Sequence, residues 1–77
     1  MSAPRARKLD VRPLLERGES PIGAIDAAVA TLAPGQGLTV IAPFLPSPLI
    51  ERLRSQGFSA RPVRGSDGTW TVDFSRD

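Results

Sequence analysis

Three prolines in eight residues, Pro43, Pro46 and Pro48 within APFLPSPL (Ala42–Leu49), constrain this chain more than any other stretch. Each lacks a backbone N–H and holds φ near −65°, so neither a strand nor a helix runs through the segment. One element must end before Pro43 and another must begin near Pro48. The preceding run, LTVIA (Leu38–Ala42), is almost wholly apolar and rich in β-branched residues, which predicts a buried central strand. After the prolines, Leu49, Ile50 and Leu53 fall on one face of a short helix, with Ser47 as its N-cap and Pro48 at its first position. Gly57 fits the C′ position beyond that helix, where a left-handed backbone suits glycine.

The rest of the chain uses the same punctuation. Ser20 and Pro21 repeat the cap-plus-proline device. Ile22, Ile25, Val29 and Leu32 then recur at helical spacing, predicting an amphipathic helix of about three turns that ends at PGQG (Pro34–Gly37). Before it, KLDV (Lys8–Val11) alternates and predicts a short strand with Leu9 and Val11 inward, joined to the helix by an irregular PLLERGE. FSARPVR (Phe58–Arg64) predicts a third strand, and Pro62 assigns it to a sheet edge. GSDG (Gly65–Gly68) reads as a hairpin turn, and TWTVDF (Thr69–Phe74) as a strand with Trp70, Val72 and Phe74 on its inner face.

The order is β-α-β-α-β-β, and right-handed crossovers place both helices on one side of the first two strands. The expected fold is α+β: a two-layer sandwich with a mixed four-stranded sheet and two helices on one face. The opposite face should carry Lys8, Asp10, Thr39, Ile41, Arg61, Val63, Thr71 and Asp73, a mostly polar surface. Residues 1–7 are expected to form a flexible basic arm, and residues 8–77 a single domain.

Composition narrows function chiefly by exclusion. Seventy-seven residues make one domain, which buries only ~60% of its unfolded surface. No apolar run approaches the ~20 residues of a membrane span, and MSAPRARK lacks a signal peptide's apolar segment, so a cytoplasmic location is expected. The pI near 10.5 accompanies a net charge of only +2. With no His, Cys or Tyr, little titrates between the carboxylates and the lysine range, and a small excess of base holds the pI high. Five of the ten basic residues, Arg5, Arg7, Lys8, Arg12 and Arg17, lie in the first seventeen positions, and a solvated arm explains the first three. The absence of cysteine removes disulfides, thiolate metal sites and a thiol nucleophile; the absence of histidine removes the commonest general base. No metal, cofactor or catalytic residue is expected.

The loops after two parallel strands lie together at their carboxyl ends, where open sheets tend to bind ligands. Arg12, Ser20, Phe44, Leu45 and Ser47 should converge there beside two helix N-termini. Such termini attract anions, but Pro21 and Pro48 each remove a donor, leaving Arg12 to supply charge to a small anionic ligand. APFLPSPL itself has two readings. One is a stiffened, capped turn with Phe44 closing the core; the other, which can coexist with it, is a rigid loop tip presenting Phe44 and Leu45 as a docking knob. Asp10 and Arg12, two apart, should share a face as a surface ion pair. Asp26 reads as a solvated helix residue and Trp70 as core. Arg52, Arg54, Arg61 and Arg64 are interleaved with Glu51 and Asp67, and only Phe44 is available for stacking, which disfavours a nucleic-acid platform.

Two resemblances attach to these residues. Leu9, Asp10 and Arg12, followed by the proline-headed helix at Pro21, resemble the LDxRGLxCPxP signature of TusA/SirA-like sulfur carriers. Here Ser20 stands in the cysteine's place, Gly23 replaces the second proline, and the connection is longer, so persulfide transfer is not expected. A resemblance spanning Leu9 to Phe74 is closer: LDVRPLLERGESP, AIDAAVATLAPG, LTVIAPFLPSPL, LRSQGF and GTWTVDF look like domain-of-unknown-function family 2249. Where that family often carries an acidic residue, this chain has Leu45. The resemblance implies a bacterial, TusA-like domain associated with haemerythrin-like and nitrogen-oxide-related proteins. The expected function is a non-catalytic protein-interaction or small-ligand-binding module, monomeric or weakly dimeric. An RNA-binding domain is the alternative, because the same layout occurs in the C-terminal domain of a translation initiation factor. An enzyme would need Asp, Arg and Ser chemistry at the rim, where no spacing encodes a nucleophile–base pair.

Overall fold

The apolar run Leu38–Ala42 forms β2, an inner strand of the sheet, with every second residue buried. In the computed structural model, which describes residues 5–76, the elements are β1 (Arg7–Asp10), α1 (Arg12–Glu16), α2 (Ile22–Ala30), β2, α3 (Ser47–Arg54), β3 (Ser59–Arg64) and β4 (Trp70–Ser75). The sheet order is β1-β2-β4-β3. β1 runs parallel to β2, while β4 is antiparallel to both β2 and β3. The sheet is therefore mixed and four-stranded, and Pro62 lies on an edge strand as its missing N–H requires.

Strand alternation decides which face is covered. Leu38, Val40, Ala42, Val72 and Phe74 are buried together with Ile25, Ala28, Leu49, Ile50 and Leu53 of the helices in one core. The opposite face keeps two cross-strand rows, Lys8–Thr39–Asp73–Arg61 and Asp10–Ile41–Thr71–Val63. Across it the Thr39 hydroxyl donates to Asp73 Oδ1 at 2.8 Å. This is the α+β two-layer arrangement that the periodicity predicts. Trp70 has the inward phase but is only half-buried and lies outside the core cluster. It pairs with Ala42 and Arg64 at the last rung of the sheet.

Several boundaries differ from the pattern. PLLERGE is not irregular: Arg12–Glu16 forms a one-turn helix, begun when Leu15 N–H donates to the Val11 carbonyl at 3.0 Å. Pro13 sits in its first turn, where the missing donor costs nothing. α2 ends at Ala30, before Leu32, because the Thr31 hydroxyl and N–H both turn back to the Ala28 carbonyl and Leu32 N–H bonds Val29. Ser20 and Ser47 are not the N-caps. Pro21 and Pro46 hold those positions, since their carbonyls accept the first helical bonds from Ile25 and Ile50. Gly57, at φ 91°, does follow α3 in the left-handed backbone that the helix end requires.

At the N-terminus the strand takes in Arg7, whose N–H donates to the Gly37 carbonyl at 2.9 Å. Gln36 holds the chain two residues earlier through Nε2, which donates to the Arg5 carbonyl at 2.8 Å. Residues 1–4 of the expected basic arm lie outside the described residues. Among the described residues, no helix is long and apolar enough to cross a membrane.

Candidate functional site

β1 and β2 end side by side, and the segments leaving them enclose a half-open cleft of about 280 Å³. One wall is Val11 and Leu15, from the start of α1. Ser20, Pro21 and Ile22 at the head of α2 form a second. Phe44, Pro46, Pro48 and Leu49, from the prolyl segment and the head of α3, form the third. No lining residue is charged, and only Ser20 offers a polar side chain. Its Oγ accepts the Ile22 N–H at 3.3 Å, a long bond that supports the helix start from one residue before the cap position.

The prolyl segment turns sharply, with Ser47 N–H donating to the Leu45 carbonyl at 2.9 Å. Pro46 is buried as its foot. Phe44 and Leu45 are left 54% and 39% exposed. Phe44 therefore does not close the core from above, and the plain capping-turn reading fails for that side chain. Two large apolar side chains thus stand exposed beside an apolar cleft, on backbone stiffened by proline.

Of the five residues expected to converge, Ser20 and Phe44 line the cleft. Leu45 and Ser47 are exposed on the same turn without lining it. Arg12 does not line it either. Its Nε and Nη2 donate to the two carboxylate oxygens of Asp10 at 3.0 and 2.8 Å, and its backbone N–H donates to Asp10 Oδ1 at 3.0 Å. These bonds hold the Asp10 carboxyl below its ordinary value, and Asp10 in turn raises Arg12. The expected pair thus forms, but not as two residues of one strand face: β1 ends at Asp10, and Arg12, the first residue of α1, folds back onto it and engages its charge there. An anionic ligand would meet no unpaired cation in the cleft lining.

The residues that sequence reasoning missed are Val11 and Leu15 as a cleft wall and Pro21, Ile22, Pro46, Pro48 and Leu49 as its floor and sides. One signal was present: Pro13 heads a Leu14–Leu15 pair much as Pro21 heads Ile22.

A second missed feature braces the cleft. Arg52 of α3 donates through Nε and Nη2 to the carboxylate of Asp26 in α2, at 3.1 and 2.8 Å. Asp26 is therefore not a free solvated residue, and its partner lies 26 positions away. The pair links the two helices whose N-terminal ends flank the cleft. The Arg52 hydrogen bonds lower the Asp26 carboxyl from its ordinary 3.8. A lowered folded value stabilises the fold above the unfolded value, and that contribution is lost as pH falls through the folded one. Both side chains are more than two-fifths exposed, so the effect is small. Asp26→Asn should lower the melting midpoint slightly at pH 7 and leave it unchanged at pH 2. An equal deficit at both pH values in parallel calorimetric scans would exclude a charge contribution.

Fold and cleft together define a small α+β domain with one covered sheet face, one open face and an apolar recess at the carboxyl ends of its parallel strands. The chain belongs to the family of uncharacterized conserved proteins DUF2249, whose model matches residues 8–76. No curated protein and no solved structure matches it.

Proposed function

We propose that this protein is a non-catalytic interaction module that docks a partner protein through Phe44 and Leu45. The observation that carries the reading is their exposure, 54% and 39%, on a loop held by three prolines. A stiff loop tip loses little entropy on binding, and a pre-ordered aromatic makes an efficient anchor. Haemerythrin-like and nitrogen-oxide-related proteins are the partner class, on the strength of the family association. The domain works in the bacterial cytoplasm and has a TusA-like fold without that fold's sulfur chemistry. Ser20 stands where a sulfur carrier needs a thiol, and an alcohol oxygen holds no persulfide. RNA is the less favoured ligand, because Asp10 and Asp73 interrupt Lys8 and Arg61 on the open face.

Titration of the purified protein into haemerythrin-like proteins of its source organism tests this. Phe44→Ala should weaken capture by roughly 10–30-fold, as for a central aromatic anchor, with the melting midpoint nearly unchanged. Equal affinity of wild type and variant would remove Phe44 from the interface and overturn the proposal.

A further inference from the structure

We infer that the free edge of β1 is a self-association surface whose occupant is the same strand of a second copy, antiparallel and centred on Leu9. This edge is separate from the Phe44–Leu45 turn, so the docking reading and this one stand or fall apart.

Backbone direction comes first. Arg7 N–H donates to the Gly37 carbonyl and Val11 N–H to the Ile41 carbonyl, so the odd-numbered residues of this segment bond β2. By alternation, the N–H and C=O groups of Lys8 and Asp10 point away from the sheet. β1 ends the strand order, and among the described residues no strand or loop backbone bonds those groups. The opposite edge of the sheet is closed. Gly65 N–H donates to the Thr69 carbonyl, and the same alternation turns the nitrogen of Pro62 outward, where it offers an incoming strand no donor. β1 carries no such block.

Charge then selects the occupant and the register. The two-fold axis of a paired β1 can be centred on Lys8, Leu9 or Asp10. Centring on Lys8 or on Asp10 sets like charges directly opposite, which is destabilising. Centring on Leu9 sets Lys8 opposite Asp10 of the second copy, and symmetry repeats the pair. Each Lys8–Asp10 pair then exchanges both of its N–H···O bonds, and the Leu9 side chains meet at the closely spaced position between them. Leu9 is half-buried at the margin of the core, so this contact covers more of it. Arg12 leaves room for the incoming ammonium. Asp10 Oδ1 accepts the Arg12 backbone N–H and Nε, whereas Oδ2 accepts Nη2 alone and keeps a lone pair free. A ladder this short stays under the ~1,200 Å² of standard-size interfaces, so the dimer is weak, with a Kd on the order of 1 mM.

The test is amide-proton NMR of the full chain across a concentration series from about 0.05 to 2 mM, bracketing that Kd. The Lys8, Leu9 and Asp10 amides should shift with concentration. Lys8→Glu sets acids opposite each other and Asp10→Lys sets cations opposite each other, so each alone should weaken association roughly 5–30-fold. Mixed in equal amounts, the two variants regain opposite charges at both pairs and should associate as the wild type does. Lys8→Pro removes an outward N–H that the β1–β2 ladder does not use, and should abolish association in a folded chain. If Asp10→Lys loses its dispersed spectrum, Lys8→Glu and Lys8→Pro decide. No concentration dependence at these amides up to ~2 mM, or undiminished dependence in Lys8→Pro, would overturn the inference. Failure of the two folded charge variants to rescue each other would do the same. Shifts confined to Phe44 and Leu45 would also overturn it, by moving self-association to the docking turn.

Discussion

Phe74→Ala should leave this domain marginal or unfolded at 25 °C. Phe74 is 1% exposed and sits between Leu38 and Ala60 in the sheet register, where two antiparallel ladders meet. Truncating a buried phenylalanine costs about 3–5 kcal/mol, because the transfer energy of the ring is lost and a cavity remains. At ~0.05–0.15 kcal/mol per residue, a chain of 77 residues commands only about 4–12 kcal/mol in all. The melting midpoint should fall by roughly 12–40 °C in a circular-dichroism scan. A fall of under about 5 °C would mean that the centre of the core lies elsewhere.

The second large effect is expected from a residue with no side chain. A Cβ on Gly37 would stand 2.9 Å from the Phe74 carbonyl oxygen, and that oxygen belongs to the backbone of an inner strand. The Gly37 carbonyl also accepts the Arg7 N–H, so the backbone cannot retreat without disturbing the start of β1. Gly37→Ala should cost about 1–3 kcal/mol by overpacking. Urea unfolding would show the midpoint falling with an unchanged slope. An unaltered midpoint would mean that the β1–β2 end has slack that the contact distances do not suggest.

The fold was legible wherever the information was local. Proline at position 62 names an edge strand because a ladder needs every N–H, and Thr69–Phe74 alternates because one face is wet. Gly57 marks a helix end for reasons confined to its own backbone. The candidate site was legible only in part. Phe44 and Ser20 announced themselves through the prolines beside them. The cleft itself depends on how the starts of three helices lean together, and no spacing encodes that. The expected anion rim at Arg12 failed for a related reason. The i, i+2 spacing puts Asp10 and Arg12 on one strand face, but the strand stops at Asp10, and the bidentate pair that occupies the guanidinium arises because α1 turns Arg12 back toward Asp10. The Asp26–Arg52 brace links residues that no local pattern connects.

The sheet order has a consequence for how the chain is made. β4 is the last strand to be synthesised, yet it lies between β2 and β3 and supplies a partner to each. Until Trp70–Ser75 has left the ribosome, β3 has no neighbour and β2 has only β1. Until then the apolar strand Leu38–Ala42 lacks one of its two ladder partners, and the sheet can be completed only once Trp70–Ser75 is available to both of its neighbours.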